Sequence, residues 1–264
     1  MQDAFDTVAH SYDAEFTHTV IGRAQRDVVR SYLKRLLSHR PVRILELNCG
    51  TGEDAVWLAG LGHEVTATDK SEQMLEIARR KSLNAGVAIA ICQWDMTMPY
   101  PQPGNRFDLI FSNFGGMNCL SPENLHTLSR QLFNLLAPGG HCIMVVMGNF
   151  CLLESLHLFF TGKWSSIFRR KNQSAMPVRM QSGEYVLTWY YHPGQLNHFF
   201  SNGYRLMNIL PVGVTIPPGY WKGNSRLSRS IIKLLIAVNP LFRRPLFARI
   251  SDHFLLHIQK MAAH

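Results

Sequence analysis

The sequence predicts an α/β fold in which a doubly wound, mostly parallel sheet is covered by helices on both faces. Two observations support this prediction. Short β-rich segments alternate with helical segments between residues 43 and 148, and such alternation is typical of parallel sheets. The segment CIMVVM at 142–147 is apolar throughout, as expected of a strand that is buried on both faces.

The alternation can be followed element by element through the first half of the chain. Strands are predicted at 43–47, 63–69, 87–95, 107–113 and 141–148, and helices at 52–61, 71–84 and 121–137. Ser71 and Ser121 suit the N-cap position, and Pro122 suits the first helical turn. Gly139 and Gly140 follow the third helix and suit its C-terminal cap.

The rhythm of the sequence changes after residue 148. We expect an insertion at 150–183, in which an apolar helical stretch precedes the basic FRRKNQ. Further strands are predicted at 185–191, 204–214 and 252–260, a helix at 193–202, and a mixed basic and apolar segment at 225–247.

Composition places bounds on function. The 264 residues carry a formal charge of +9, which favours anionic partners such as nucleic acid, acidic substrates or an anionic membrane, but does not choose among them. The five cysteines form no CxxC pair, so we expect free thiols, a reducing compartment and no zinc ribbon. The N-terminus has no signal-peptide pattern and no long apolar window occurs. These features together predict a cytoplasmic protein.

The segment ILELNCGTGEDAVWL at 44–58 joins a predicted strand to a predicted helix. Gly50 and Gly52 allow a tight turn and a close approach of the backbone to a ligand at the helix N-terminus. Asp69 ends the next strand and therefore lies beside this turn, where an acid suits a ribose diol. The pattern predicts a nucleoside site at the carboxyl edge of the sheet.

Two nucleoside chemistries compete for this site. Residues 50–55 satisfy the GxGxxG/A fingerprint of dinucleotide-binding proteins, which would make the protein an NAD(P)-dependent oxidoreductase. However, Glu53 and Asp54 stand where a pyrophosphate would dock, and like charges repel there. The two acids favour a ligand that has no phosphate and carries a positive charge.

Several motifs in order resemble one family, the class I S-adenosylmethionine-dependent methyltransferases. The resemblance covers residues 5–148: FDTVAHSYD resembles the N-terminal lid, ELNCGTG the glycine motif, VTATD the ribose motif, QWDM the adenine motif and FDLIFSNFGGMNCL the motif under the methionyl group. The resemblance implies that S-adenosylmethionine is the cofactor. It implies cofactor contacts from Tyr12, Glu46, Asn48, Cys49, Gly50, Gly52, Asp69, Lys70, Met74, Asp95, Met96, Asn113 and Phe114.

The resemblance also implies a Rossmann-like sheet of seven strands, the last of them antiparallel and formed by DHFLLHIQK. One domain is then expected over 1–264, with lid helices at 1–40, the cofactor-binding core at 41–148, the insertion at 149–183 and further sheet strands at 184–264. Asn48 departs from the family pattern, which has glycine there. Asparagine enters left-handed conformations more readily than most residues, so the turn can survive.

The candidates for acceptor chemistry lie outside the cofactor motifs. His192 and Glu154 are the predicted general bases, with His18 as a weaker candidate, although each can equally be a packed, capping or exposed residue. A base is needed only if the acceptor must lose a proton. His253 and His257 share one face of the last strand but lack the context of a metal motif, so no metal site is predicted.

The function predicted from the sequence is transfer of a methyl group from S-adenosylmethionine to a small, lipophilic organic acceptor. The apolar and basic segments after residue 148 can cover such an acceptor or rest on an anionic membrane, or they can pack as ordinary cap helices. Methylation of nucleic acid or protein is an alternative because of the positive charge, although no RNA-binding module is recognisable. The sequence does not indicate the oligomeric state.

Overall fold

We describe a computed structural model of the chain over residues 4–37, 40–172, 174–180, 183–219, 221 and 226–261. Its strands are β1 Arg43–Leu47, β2 Glu64–Asp69, β3 Ala90–Gln93, β4 Phe107–Ser112, β5 Leu136–Met147, β6 Met176–Arg179, β7 Tyr185–Thr188, β8 Tyr204–Val212 and β9 His253–Lys260. Its α-helices are α1 Ala4–Tyr12, α2 Val20–Leu36, α3 Glu53–Gly60, α4 Glu72–Ala85, α5 Pro122–Leu135, α6 Leu152–Phe160, α7 Pro193–Phe199 and α8 Arg226–Val238. A turn of π-helix, Asp13–Thr17, continues α1.

Seven strands form one sheet in the order β3-β2-β1-β4-β5-β9-β8. The pairs from β3 to β5 are parallel, whereas β9 runs antiparallel to both of its neighbours. The predicted Rossmann-like sheet with an antiparallel last strand is therefore confirmed. Because the order reverses between β1 and β4, the carboxyl ends of these two strands border the crevice where such folds bind ligands.

Alternate residues of the central strands face two different hydrophobic layers. Leu45 and Ile110 pack with residues of α5 and α7. Ile44 and Phe111 pack with residues of α2 and α3 on the opposite face of the sheet. The period of two along each strand thus sends successive side chains to opposite covered faces, which explains why the strands are apolar without interruption.

Local signals set the N-terminal helix boundaries as predicted, but the predicted cap at Gly139 and Gly140 is wrong, because α5 ends at Leu135 and both glycines lie within β5. The side chains of Ser71 and Ser121 accept hydrogen bonds from the backbone N–H groups of Met74 and Asn124. Gly86 ends α4 in the left-handed conformation, at φ 65°. These caps satisfy backbone groups that a helix end leaves without partners.

The second half of the chain departs from the prediction in one respect. The strand predicted at 185–191 is shorter, and β7 pairs with β6 in a separate two-stranded sheet rather than with the main sheet. A single bridge between Gly148 and Tyr191 links this part of the chain to the end of β5. Among the described helices, none combines the length and the apolar character that crossing a bilayer requires.

Candidate active site

The turn between β1 and α3 contains three residues with positive φ, Asn48 at 44°, Gly50 at 54° and Gly52 at 76°. Gly52 cannot carry a side chain, because a Cβ atom there would lie 2.6 Å from the Cβ atom of Ala78 in α4. Among the described residues that lie outside the turn itself, a Cβ atom on Gly50 would have only the Tyr12 ring within 4.0 Å. Gly52 therefore serves helix packing, whereas Gly50 keeps the backbone open towards the crevice.

Asn48 adopts the left-handed conformation expected from its residue type, and its side chain joins the two central strands. Its Nδ2 donates to the carbonyl of Asn113 at 2.8 Å, and its Oδ1 accepts from the Ser112 hydroxyl at 2.6 Å. A Cβ atom on Gly116 would lie only 2.1 Å from the Asn48 side chain. Asn48 stands where the family pattern has glycine, and the absence of a side chain at Gly116 on the facing loop leaves space for it.

Asp69 holds the turn at the end of β2. Its carboxylate accepts hydrogen bonds from the backbone N–H of Gly50 at 2.8 Å and of Ser71 at 3.0 Å. These contacts place the acid beside the glycine turn, as the topology predicts. Asp69 therefore stabilises the backbone of the turn, which the sequence does not predict, in addition to the contact with ribose that the sequence does predict.

Asp95 caps a turn after β3. One carboxylate oxygen accepts from the backbone N–H and the hydroxyl of Thr97, at 2.9 and 2.8 Å, and the other lies 3.2 Å from the Lys70 ammonium. Burial raises the pKa of Asp95, but the Thr97 and Lys70 contacts outweigh it and leave the pKa below its ordinary value. Met96 packs on the hydrophobic core, and Met74 lies buried beneath α1.

Two carboxylates are buried below the turn, and they differ in their partners. Asp54 receives hydrogen bonds from Arg26 at 3.1 Å, from Arg30 at 2.8 Å and from the Asn113 amide at 2.7 Å. Burial raises the pKa of Asp54, but the two guanidinium groups outweigh it and hold the pKa below its ordinary value. Asp54 is thus a compensated, ionised group.

Glu46 has no comparable compensation. The side chain is 2% exposed, and its Oε2 accepts no hydrogen bond from any residue that the structure describes. Burial, with a contribution from the nearby Asp54, raises the pKa of Glu46 well above its ordinary value. Asn113 Oδ1 is a second buried acceptor without a described donor in the same cavity. These unpaired acceptors fit a ligand that brings positive charge and N–H donors.

The N-terminal segment covers this cavity. Asp13 accepts from the Thr51 hydroxyl at 2.7 Å and pairs with the Lys81 ammonium at 2.6 Å, and the Ser71 hydroxyl donates to Asp6. The cavity that remains has a volume of about 30 Å³, which is the space of about one water molecule. In this conformation the cavity is too small for a nucleoside.

The structure brings together seven of the predicted cofactor residues around this cavity. They are Tyr12, Glu46, Asn48, Cys49, Gly50, Asn113 and Phe114. The other six stand behind the turn or beside it: Gly52, Asp69, Lys70, Met74, Asp95 and Met96.

The two predicted general bases have other roles in the structure. Glu154 is buried, and its oxygens accept from Arg169 at 2.6 Å and from Arg170 at 2.6 and 3.2 Å. Arg170 also donates to Asp252 at 2.9 Å. Because both oxygens of Glu154 face guanidinium donors, this geometry favours an ionic anchor for the insertion over a proton acceptor.

His192 caps α7, since its Nδ1 accepts from the backbone N–H of Gly194 at 3.1 Å. Burial and the neighbouring Arg249 lower the pKa of His192. A neutral imidazole that accepts through Nδ1 carries its proton on Nε2 and cannot accept there. The remaining sequence candidate, His18, is exposed and lies 3.8 Å from Glu53.

The structure reveals a different histidine at the carboxyl edge of the sheet. His253 begins β9 beside the end of β5, and its ring packs edge-on against Phe114, 5.4 Å between centroids. Its Nδ1 lies 3.0 Å from Asp252 Oδ2, within ion-pair distance although the angle is not that of a hydrogen bond. Burial raises the pKa of Asp252, but His253 and Arg170 outweigh it and leave the pKa far below its ordinary value.

Sequence reasoning considered His253 only together with His257 as a metal pair. His257 instead bonds to Tyr32 through Nδ1 at 2.7 Å and to His141 through Nε2 at 2.8 Å. The signals that sequence reasoning missed were the adjacent Asp252-His253 dipeptide at the start of a strand and the spacing of four between Arg26 and Arg30.

Comparison with known proteins agrees with this geometry. Residues 44–140 match the model of the family described as "Methyltransferase domain". A demethylmenaquinone methyltransferase of Lactococcus lactis is 30% identical over 151 residues, which are 55% of this chain and 57% of that protein. The chain spans about half the length of the curated relatives that it matches first.

Solved structures share the fold over nearly the whole chain. The CcbJ methyltransferase of Streptomyces caelestis superposes with a TM-score of 0.62 at 18% identity, covering 99% of each chain. The DhpI–SAH complex superposes with a TM-score of 0.59 at 16% identity, covering 98% of this chain and 94% of that one. Together with the glycine turn and the strand order, these findings show that residues 44–140 are similar to a methyltransferase domain and that the chain shares the fold of these solved structures.

Proposed function

We propose that the protein is an S-adenosylmethionine-dependent methyltransferase that acts on a small, lipophilic organic acceptor. The observation that carries the proposal is the buried Glu46 carboxyl group, which lines the cavity beneath the glycine turn and whose Oε2 accepts no hydrogen bond from the described residues. Such a cavity suits an amino acid ammonium or a sulfonium and disfavours phosphate. A pyrophosphate-bearing nicotinamide cofactor is therefore the weaker alternative.

Each residue then has a part in holding the cofactor. Gly50 leaves space for the nucleoside, Asp69 stands ready for the ribose hydroxyls, and Asp95 and Met96 lie where the adenine is expected. Glu46 and Asn113 Oδ1 would accept from the ammonium group. When bound, S-adenosylmethionine supplies a methyl group on a sulfonium, which is already an activated electrophile. The protein has mainly to align the acceptor and to exclude water, and the covering segment 4–17 suits the second task.

We propose His253 as the proton acceptor, in place of Glu154 and His192, where the acceptor must lose a proton. If its Nδ1 carries the proton near Asp252, Nε2 keeps a free lone pair. Asp252, which stays ionised, would stabilise the imidazolium that forms when His253 takes a proton. Arg170 in turn holds Asp252 at 2.9 Å, which makes Asp252 and Arg170 positioning residues.

The lipophilic nature of the acceptor is inferred from the rings that follow the central strands. Phe114 follows β4 and Phe150 follows β5, and both are partly buried. Aromatic rings contribute apolar contact area and offset stacking to flat acceptors. A relative is named for demethylmenaquinone, which agrees with an acceptor other than nucleic acid. Methylation of nucleic acid or protein remains the alternative that the net charge of +9 suggests.

The proposal is tested by measuring the release of S-adenosylhomocysteine from S-adenosylmethionine with panels of phenols, hydroquinones, fatty acids, oligonucleotides and peptides. Turnover with a lipophilic acceptor is expected. Turnover only with oligonucleotides or peptides would contradict the acceptor class, and reduction of a substrate by NADH would contradict the reaction.

The role of His253 is tested with the identified acceptor by comparing His253→Gln with His192→Gln. His253→Gln is expected to lower kcat by about 100-fold and to leave the affinity for S-adenosylhomocysteine unchanged. His192→Gln is expected to leave kcat unchanged. The opposite pattern would return the role to His192, and an unchanged kcat in both variants would mean that the acceptor needs no base.

A further inference from the structure

The charge of the chain is segregated along the sequence. Residues 155–251 contain thirteen of the twenty-seven Lys and Arg residues but only one of the eighteen acids, Glu184. The rest of the chain is therefore slightly acidic, and the net charge of +9 arises entirely from this stretch. The surface of an ordinary soluble domain mixes positive and negative charges. Solubility alone therefore does not explain a stretch in which nearly all the charges are positive.

The first part of this stretch exposes large apolar side chains. In α6 and the turn after it, Phe160 is 81% exposed, Trp164 67% and Phe159 54%. The Phe159 ring stacks with Trp164, 6.3 Å between centroids, and packs edge-on against Phe160 at 5.5 Å. These rings therefore form one aromatic cluster on the surface rather than scattered residues.

Exposed cations flank this aromatic cluster. In the sequence, Lys163 lies between Phe160 and Trp164. Lys171 follows eight residues later, and its ammonium group lies 4.7 Å from the centroid of the Phe168 ring. Phe168 is itself 59% exposed. Apolar groups bordered by ammonium groups are the pattern of a surface that meets anionic lipid headgroups.

The second part is α8, which has two apolar faces. Ile232 and Ile236 pack against Ile21 and other residues of α2. On the other side, Leu227, Ile231 and Leu234 follow the i, i+4, i+7 spacing and are 72%, 48% and 64% exposed. A helix that is only packing on its own domain has no need of the second face.

Chain and ring contacts join the two parts. The rings of His157 in α6 and Trp221 before α8 lie 4.9 Å apart, and Trp221 packs in the cluster that contains Ile232. At the other end, the backbone N–H of Leu152 donates to the carbonyl of Ile250 at 3.0 Å. Both parts adjoin the end of β5 and the start of β9, which is the edge of the sheet where the acceptor is expected.

We propose that the exposed side chains of α6, of residues 163–171 and of residues 227–246 form one membrane-binding face that docks on an anionic phospholipid bilayer. Its exposed apolar tips insert at the interface, and its cations, including Lys163, Lys171 and Lys233, contact the lipid phosphates. Docking places the acceptor side of the protein at the bilayer. Binding of vesicles does not require methyl transfer, so this inference and the proposed function fail independently.

A bilayer fits this face better than the other possible occupants. Nucleic acid would be met by cations with few exposed aliphatic side chains, whereas here Leu241 and Leu246 are 77% and 69% exposed next to Arg243 and Arg244. A second copy of the chain would bring an equally cationic face into the contact, and like charges would repel. Anionic lipid satisfies both the apolar and the cationic parts.

The test is flotation of the whole protein with vesicles of phosphatidylcholine alone and with vesicles that contain about 30% phosphatidylglycerol. Binding is expected only to the anionic vesicles and should weaken as salt is raised. The double variant Phe160→Ser and Leu241→Ser is expected to bind at least about tenfold more weakly. Lys233→Gln is expected to weaken binding about fivefold, because each Lys or Arg near an anionic membrane surface strengthens the binding by about that factor.

Leu83→Ser is the matched control, because Leu83 is 78% exposed on α4, outside the proposed face. It is expected to bind vesicles like the unchanged protein. All variants replace exposed side chains, so their thermal unfolding should coincide. Three results would overturn the proposal: no binding to anionic vesicles, equal loss in Leu83→Ser, or tight binding of an oligonucleotide in place of vesicles. A stable dimer that the double variant dissociates would overturn it as well.

Discussion

Replacing Glu154 by glutamine distinguishes an ionic anchor from a catalytic base. The substitution keeps the shape of the side chain and removes its charge, so Arg170 retains only Asp252 as its anionic partner. Glu154 is 2% exposed and accepts three guanidinium contacts of 2.6 to 3.2 Å. Breaking a buried ion pair by removing one partner costs about 3–5 kcal/mol. Because Asp252 still compensates Arg170, we expect the lower end, about 3 kcal/mol.

The measurement is urea or thermal unfolding of Glu154→Gln together with its rate of methyl transfer at a temperature where the variant is folded. A loss of about 3 kcal/mol corresponds to a fall in Tm of roughly 6–12 °C for a chain of this size. The matched control is Glu72→Gln, which removes an exposed partner of Arg79 at 2.7 Å. It should change stability by less than about 0.5 kcal/mol. A Glu154→Gln variant of normal stability but about 100-fold lower kcat would refute the anchor role and restore Glu154 as a base.

Three further substitutions test the site and its surroundings. Gly52→Ala should lower the free energy of unfolding in urea by about 3 kcal/mol, because φ is 76° and the new Cβ atom would lie 2.6 Å from the Cβ atom of Ala78. The control Gly60→Ala has open space around the new Cβ atom and should leave the stability unchanged or raise it. Asp69→Asn keeps only one of the two oxygens that accept from Gly50 and Ser71, so stability should fall by about 1–3 kcal/mol. Titration calorimetry under conditions where the variant is folded should show affinity for S-adenosylhomocysteine reduced at least about tenfold, and unchanged affinity would contradict the ribose assignment. Burial lowers the pKa of His257 to about 4, so below the ordinary pKa of histidine the unfolded chain binds more protons than the folded chain. The free energy of unfolding should therefore fall by about 3 kcal/mol as the pH drops from 6.5 to 4. His257→Gln should flatten this pH dependence, and an equal fall in that variant would mean that another group causes it.

The first half of the fold could be predicted from sequence because local and global signals agree there. The predicted helix at 71–84 became Glu72–Ala85, with Ser71 as its cap. The predicted strand at 107–113 became Phe107–Ser112. Both elements have strong N-caps or continuous apolar runs, and both lie in a sheet that is covered on its two faces.

The pairing of the second half could not be read in the same way. The segment at 185–191 has the β-rich composition of a sheet strand, but only Tyr185–Thr188 forms β7, and it pairs with β6 from the insertion. Composition determines whether a segment favours an extended conformation, whereas its partner depends on tertiary contacts. Asn118 bridges the end of this segment to β5, because its Nδ2 donates to the carbonyl of Trp189 and its Oδ1 accepts from the backbone N–H of Met147, so the segment meets the main sheet only through the bridge at Tyr191.

In the candidate site, too, some features could be predicted from the sequence and others could not. The glycine turn, Asn48 in the left-handed conformation and Asp69 beside the turn follow from residue type and strand order, and the structure places them so. The fate of Glu154 depends on Arg169 and Arg170, more than a dozen residues away, and could not follow from its own segment. The same is true of His253, whose neighbours Phe114 and Met147 come from other strands.

The central claim is that the glycine turn binds S-adenosylmethionine and not a dinucleotide. The most direct measurement is calorimetric titration of the purified protein with S-adenosylhomocysteine, compared with NADH under the same conditions. We predict binding of S-adenosylhomocysteine at roughly micromolar Kd, or about 8 kcal/mol. We also predict strengthened binding in Asp13→Asn, which removes the charge that pairs the covering segment with Lys81. Binding of NADH without binding of S-adenosylhomocysteine would contradict the account.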